Sequence, residues 1–345
     1  MKIKRQVLRE FSAPYAVNIH RIGGREKVVF AAELDSLCVG VWADTLEQEA
    51  LWEGQGGTMN TFQLNEKGDF LAIQRFYRGF QCRDACIVKA EKQENQWKQT
   101  KIADLPFCHR MCVVEIEGVP HMVCCVLCED KENTEDWSQP GRVVVSKIPR
   151  QAGEQVSFTT IVEGIHKNHG IFQGTLDGKN TILVTGQEGI FQLEIPAGLD
   201  DPWSYTKLMD QETSDCTVLD VDEDGEDEII AIEKFHGNRV VVYKRQAGIW
   251  KQVYTYPVEF GHAIWSGTIF SRPAFLIGYR AANAALLLFR LKEKREGRWL
   301  MEITVLDEHE SPANAAVVHQ EGKEMIFSSS CGRDRIMLYE LTQGD

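Results

Sequence analysis

Three of the nine histidines, His109, His169 and His262, occupy the same place in a recurring short segment. Asp215 occupies it in a fourth copy. Neutral imidazole is the commonest protein ligand for zinc, manganese or iron, and three imidazoles leave coordination positions open for a substrate. His109, His169, His262 and Asp215 are therefore the candidate ligands of a divalent transition metal, zinc or manganese. The alternative is a water-filled channel lined by hydrogen-bonded polar groups. His236, in Phe235-His236-Gly237-Asn238, is the sharpest single candidate for proton transfer: it sits beside a glycine in a tight loop and titrates near neutral pH. The phenol of Tyr77 or of Tyr279 is its candidate partner acid, and His169 is a further catalytic candidate.

A second group carries positive charge. Arg75, Arg78, Lys234, Arg239, Arg280 and Arg335 all lie in polar segments that follow an apolar, β-rich run. Guanidinium suits bidentate capture of a carboxylate, so this group reads as a cationic mouth for a small anionic carbohydrate, with Trp265 offering a stacking face. The competing reading is arginine–carboxylate pairing between neighbouring repeats. The chain as a whole carries a formal net charge of −13, which argues against non-specific binding to nucleic acid or an anionic membrane.

These residues must be brought together by something that repeats. The segments SAPYAVNI, GGTMNTF, LPFCHRMCVV, HKNHGIFQG, TSDCTVLDV, EFGHAIWSG and SPANAAVV align Ala16, Asn60, His109, His169, Asp215, His262 and Asn314, at spacings of 44, 49, 60, 46, 47 and 52 residues. That is the length of a four-stranded propeller blade. A turn and a second β-branched run follow each segment (KVVFAA, FLAIQR, TILVTG, EIIAIE), then a polar loop and a third (LCVGVW, RVVVSKI, RVVVYKR, RIMLYEL). The expectation is an all-β chain: one seven-bladed β-propeller of four-stranded antiparallel blades over residues 1–345, with a tandem β-sandwich as the alternative. The first strand of each blade lines the channel, and the loop after the second strand opens on the same face, so the two groups should meet. One blade can take its outermost strand from the other terminus.

Ten cysteines in a chain with no read secretory leader or membrane span suggest reduced thiols in a cytoplasmic protein. Cys124-Cys125-x-x-Cys128 lies in an apolar strand and reads as core rather than as a metal site. Gly54-Gln-Gly-Gly57 is a turn before a strand, and no phosphate loop, dinucleotide fingerprint or nucleophile elbow occurs.

Asp220, Asp222, Asp224 and Glu228 stand at positions 1, 3, 5 and 9 of a loop with Gly225 at position 6. Hard oxygen ligands at alternate positions can wrap a structural calcium; a plain acidic turn is the alternative. With the FHGN loop and the channel histidines, this loop resembles the FG-GAP/VCBS-like seven-bladed propellers that include carbohydrate lyases and aldos-2-ulose dehydratase. The resemblance implies β-elimination from a uronate-bearing or keto sugar, with metal or arginine stabilising the developing enolate. It implies His109, His169 and His262 as metal or electrophile, His236 or Tyr77 for proton transfer, and Arg75, Arg280 and Arg335 on the acid group. Two other readings stay open: a glycoside hydrolase using a carboxylate pair such as Glu33 and Glu233, and a non-catalytic propeller that binds sugar or protein.

Overall fold

The computed structural model describes residues 1–77, 81–94, 96–151, 153–295 and 298–344. They form seven antiparallel sheets of four strands each, and no helix among them is long and apolar enough to cross a membrane. Six blades are made of strands consecutive in the chain. The seventh is closed from the other end: Lys2–Glu10 pairs antiparallel with the last strand, Arg335–Thr342.

The innermost strands, one per blade, are Pro14–Ile22, Asn60–Gln63, Cys108–Ile116, Ile171–Leu176, Thr213–Leu219, Gly261–Ile269 and Pro312–Gln320. Each touches the next, and the last touches the first, so the ring is closed. The second strands are buried on both faces because a neighbouring blade covers each one: Val28, Val29, Phe30 and Ala31 have no accessible surface, nor do Ile229 to Ile232. This is why these runs are continuously apolar instead of alternating. The turns between first and second strands need two successive residues in the left-handed region, as in a type I′ hairpin. Glu117-Gly118 (φ 49° and 72°) and Asp177-Gly178 (φ 51° and 72°) supply them.

The mouth of the channel depends on a defect in the ladder. In five blades the inner strand is bulged at its start, between Pro14 and Ala16, Cys108 and Arg110, Thr213 and Asp215, Gly261 and Ala263, and Pro312 and Asn314. The unpaired residue is Tyr15, His109, Ser214, His262 or Ala313. A bulge re-aims a side chain without moving the rest of its strand. The expected alignment is therefore one residue out: Ala16, Asp215 and Asn314 stand in register with Arg110 and Ala263, and it is Tyr15, Ser214 and Ala313 that share a layer with His109 and His262.

All ten cysteines are unbonded. Cys124, Cys125 and Cys128 are buried among apolar neighbours.

Candidate functional site

A cavity of about 470 Å³ opens at the channel mouth. Its floor is the bulge layer. His109, His169 and His262 are nearly inaccessible, and each points one ring nitrogen at a backbone carbonyl of the following blade. His109 Nδ1 lies 3.1 Å from His169 O, His169 Nδ1 3.2 Å from Ser214 O, and His262 Nδ1 2.6 Å from Ala313 O. A carbonyl oxygen only accepts, so Nδ1 carries the hydrogen in each ring and Nε2 is left as a bare lone pair. The Tyr15 hydroxyl reaches His109 Nε2 at 3.2 Å and His262 Nε2 at 3.1 Å.

His236 completes the floor from above. Its residue adopts φ 47°, its backbone N–H donates to Ser214 Oγ (3.3 Å), and its ring lies between Phe235 and Phe260, with centroids 4.0 and 4.5 Å away. Ring nitrogens of His169, His236 and His262 lie within 4.8 Å of one another. Burial holds His109, His169 and His262 well below the ordinary imidazole range. The Arg110 guanidinium adds to this for His109, and Arg280 for His262. Burial, then Arg280, lowers His236 to about 3. These are neutral imidazoles at physiological pH, the form that ligates. Burial pushes the Tyr15 phenol up to about 12.

The walls are mostly apolar: Phe76, Phe107, Leu127, Trp137, Phe235 and Phe260. Arg280 lines the cavity with its guanidinium 5.3 Å from the Phe260 ring, and among the described residues no carboxylate forms an ion pair with it. Lys131 and Trp137 belong to the segment between Val126 and Gly141, which caps one side of the cavity. Burial lowers the Lys131 ammonium, which lies 3.2 Å from the Trp137 ring and donates to Thr134 O at 2.8 Å. The cap is tied down by Arg83, which donates to Asp130 Oδ1 (2.8 Å) and Lys131 O (2.5 Å).

Several expected site residues lie elsewhere. Asp215 does not face the imidazoles; it is one residue further along its strand and lines a deeper polar chamber of about 390 Å³ with Asn60, Arg110, Asn314 and Trp265. Arg239 is spent on Glu233 (Nε–Oε2 2.6 Å), Arg335 on Glu310 (Nε–Oε2 3.0 Å), and exposed Arg75 on Gln55 (3.0 Å). Lys234 is exposed and lines no part of the cavity. Arg78 falls outside the described residues. Tyr77 and Arg280 do line the cavity with the histidines. In the acidic loop, Lys244 Nζ lies 2.5 Å from Glu228, 2.8 Å from Asp224 and 3.2 Å from Asp222. Lys294 adds a contact to Asp222 at 2.5 Å, and Asp220 accepts the backbone N–H groups of Asp224 and Gly225. A calcium ion would have to displace the Lys244 ammonium.

The sequence reading missed Tyr15, Lys131 and Trp137. Tyr15 was recoverable from S-A-P-Tyr15 set against L-P-F-C-His109, had the bulge been allowed for. The long 60-residue step from His109 to His169 signals the extra chain that carries Lys131 and Trp137.

Burial pushes Asp215 up to about 6, with Arg110 opposing. Its folded value lies above the ordinary 3.9 of an exposed aspartate, so the fold binds its proton more tightly than the unfolded chain does. Stability is full below about pH 4 on this account and falls as pH rises through about 6, by an amount on the order of 2–3 kcal/mol. Asp215→Asn should remove this slope. Urea unfolding of the two proteins between pH 4 and 7 checks it, and parallel curves would refute it.

No family model and no curated protein matches the chain. Among solved structures it is similar to the β-propeller domain of Myceliophteria thermophila Cps50 (Swd1), at 10% identity and a TM-score of 0.62 over 98% of this chain and 100% of that one. It is also similar to a chain of the Mitotic Checkpoint Complex, at 8% identity and a TM-score of 0.61 over 99% of this chain and 95% of that one. At such identities the likeness is one of fold: a closed β-propeller.

Proposed function

We propose that the chain is a metal-assisted carbohydrate lyase or dehydratase that removes a β-oxygen from a small anionic sugar at the channel mouth. The observation that carries this reading is the meeting, in one cavity, of bare imidazole nitrogens and the guanidinium of Arg280, which has no carboxylate partner among the described residues. Orphaned His169 Nε2 and the chemistry of the donors fit a divalent ion, which would supply Lewis-acid charge where an enolate develops. Arg280 holds the acid group of the substrate. Tyr77, which lines the cavity, serves in proton transfer, and the aromatic walls keep water from the reacting carbon. In balance, the proton on the carbon next to the acid or carbonyl passes by way of the Tyr77 hydroxyl to the leaving oxygen, the C–O bond at the next carbon breaks with its electron pair on that oxygen, and a C=C bond forms.

The hydrolase alternative is poorly supported. Glu233 has no accessible surface and is held by Arg239 and the Tyr243 hydroxyl, so it does not pair with Glu33 across the cavity.

The test is ultraviolet absorbance of an unsaturated product when the protein, supplied with zinc or manganese, meets uronate oligosaccharides and keto sugars. Arg280→Ala should raise KM by roughly 10²-fold, the loss of one charge-assisted contact of about 2–3 kcal/mol. Absence of product across that panel would overturn the reading.

A further inference from the structure

The floor of the cavity has fewer hydrogens than it needs. His109, His169 and His262 each give their Nδ1 hydrogen to a carbonyl, so three Nε2 lone pairs converge. Tyr15 stands between two of them and has a single hydroxyl hydrogen to donate, to His109 or to His262 but not to both. His169 Nε2 is buried with no hydrogen-bond partner among the described residues. Buried acceptors left unmatched cost on the order of 1–3 kcal/mol each. Arg110 acts on His169 and His262, and Arg280 on His262, with like charge that disfavours an imidazolium as the remedy.

We propose that His169, His236 and His262 bind one divalent transition-metal ion through ring nitrogens, while Tyr15 donates its hydroxyl hydrogen to His109. That assignment settles every lone pair at once: two of the three Nε2 atoms and a nitrogen of His236 go to the ion, and the phenol serves the third. It selects His236 in place of His109, and it excludes Asp215, because the three ring nitrogens already lie within 4.8 Å of one another. The carbonyls of Ser214 and Ala313 behind His169 and His262 fix tautomer and ring orientation, the usual second support of a histidine ligand. Phe235, stacked on its ring, and Phe260, tilted against it, do the same for His236. Three neutral nitrogens with no carboxylate favour zinc, cobalt, nickel or copper over calcium or magnesium. They also leave the full charge of the ion, and open positions, for an anionic ligand that Arg280 shares. The inference deepens the lyase reading and rests on the same cavity, yet it is read without turnover.

The experiment is titration of chelator-treated protein with Co²⁺, followed by visible absorbance and by elemental analysis after gel filtration. One ion per chain is expected. His169→Ala, His236→Ala and His262→Ala should each weaken binding by at least roughly 10²-fold, whereas His109→Ala, Tyr15→Phe and Asp215→Asn should stay within about 10-fold, the smaller end of outer-shell effects. Thermal melts sort folding failures from ligand loss, and His236→Gln, at a half-buried position, gives a second variant with the fold intact. No stoichiometric ion, or an effect of His109→Ala equal to that of His169→Ala, would overturn the assignment. One bound ion with no unsaturated product supports it while sinking the elimination; elimination by a protein that takes up no stoichiometric ion does the reverse.

Discussion

Removing residues 1–10 should lower the midpoint of thermal unfolding by about 7 °C and make the protein self-associate. The strand Lys2–Glu10 is the outer edge of the seventh blade, and its ladder to Arg335–Thr342 is what joins the beginning of the chain to its end. Its side chains also reach beyond that blade. Ile3 packs on the cluster that includes Leu306 and Tyr339, Leu8 packs on that of Phe11 and Val41, and Arg5 Nε donates to Leu306 O of the sixth blade at 2.6 Å. Losing the strand leaves the last blade with three strands and an unpaired edge, the template on which sheets aggregate. A loss of about 5 kcal/mol, over an unfolding entropy of about 2.1 cal/mol/K per residue, corresponds to about 7 °C for this chain of 345 residues. A synthetic peptide of residues 1–10 should restore the midpoint, since the partner strand Arg335–Thr342 remains to receive it. Melting by circular dichroism with and without the peptide reads the result. A midpoint within about 2 °C of the full chain would show that blade seven stands without its borrowed strand.

The architecture was legible because each blade repeats one grammar, and the blade boundaries follow directly from it. The floor of the site was less legible, for a specific reason. An unbulged strand fixes which side chain faces the channel by its parity alone, and a shift of one residue reverses it. Five inner strands carry a bulge at this very point, which no composition or periodicity signals. So Asp215 was placed with the histidines although it faces a deeper chamber with Arg110, and Tyr15, which touches two of them, went unnoticed. The arginines show the opposite difficulty. Their recurrence after second strands is real, but Arg239 is held by Glu233, 6 residues before it, and Arg335 by Glu310, 25 residues before it and at the start of its blade. Sequence adjacency does not reveal such pairings. Arg280 differs in having no carboxylate partner among the described residues, which is a property of its neighbours and not of its own motif.

Gly237→Ala should leave the propeller folded while dismantling the floor of the site. An added Cβ at this residue would stand 1.7 Å from the Glu233 carbonyl oxygen and 2.7 Å from that of Lys234, so the backbone of the loop must move. Both neighbours resist. The Glu233 carbonyl accepts the Asn238 N–H, and the Gly237 carbonyl accepts the Gly261 N–H at 2.8 Å, one residue before His262. The adjustable part is therefore the turn itself, Lys234 to His236, where both end residues already adopt left-handed φ values of 42° and 47°. Displacing His236 by about 1 Å costs roughly 10²-fold in a positioned reaction, and cobalt affinity should fall with it. Gly248→Ala is the matched control: it sits at φ 79° in an outer hairpin with open space around its Cβ position, so it carries backbone strain of about 1–2 kcal/mol and nothing else. Elimination rate, cobalt affinity and melting midpoint should separate the two variants. The control should lose stability alone, and Gly237→Ala should lose the site with a comparable change in midpoint. Unaltered cobalt affinity in Gly237→Ala would mean that the loop yields without moving His236, and that the ring does not depend on the glycine beside it.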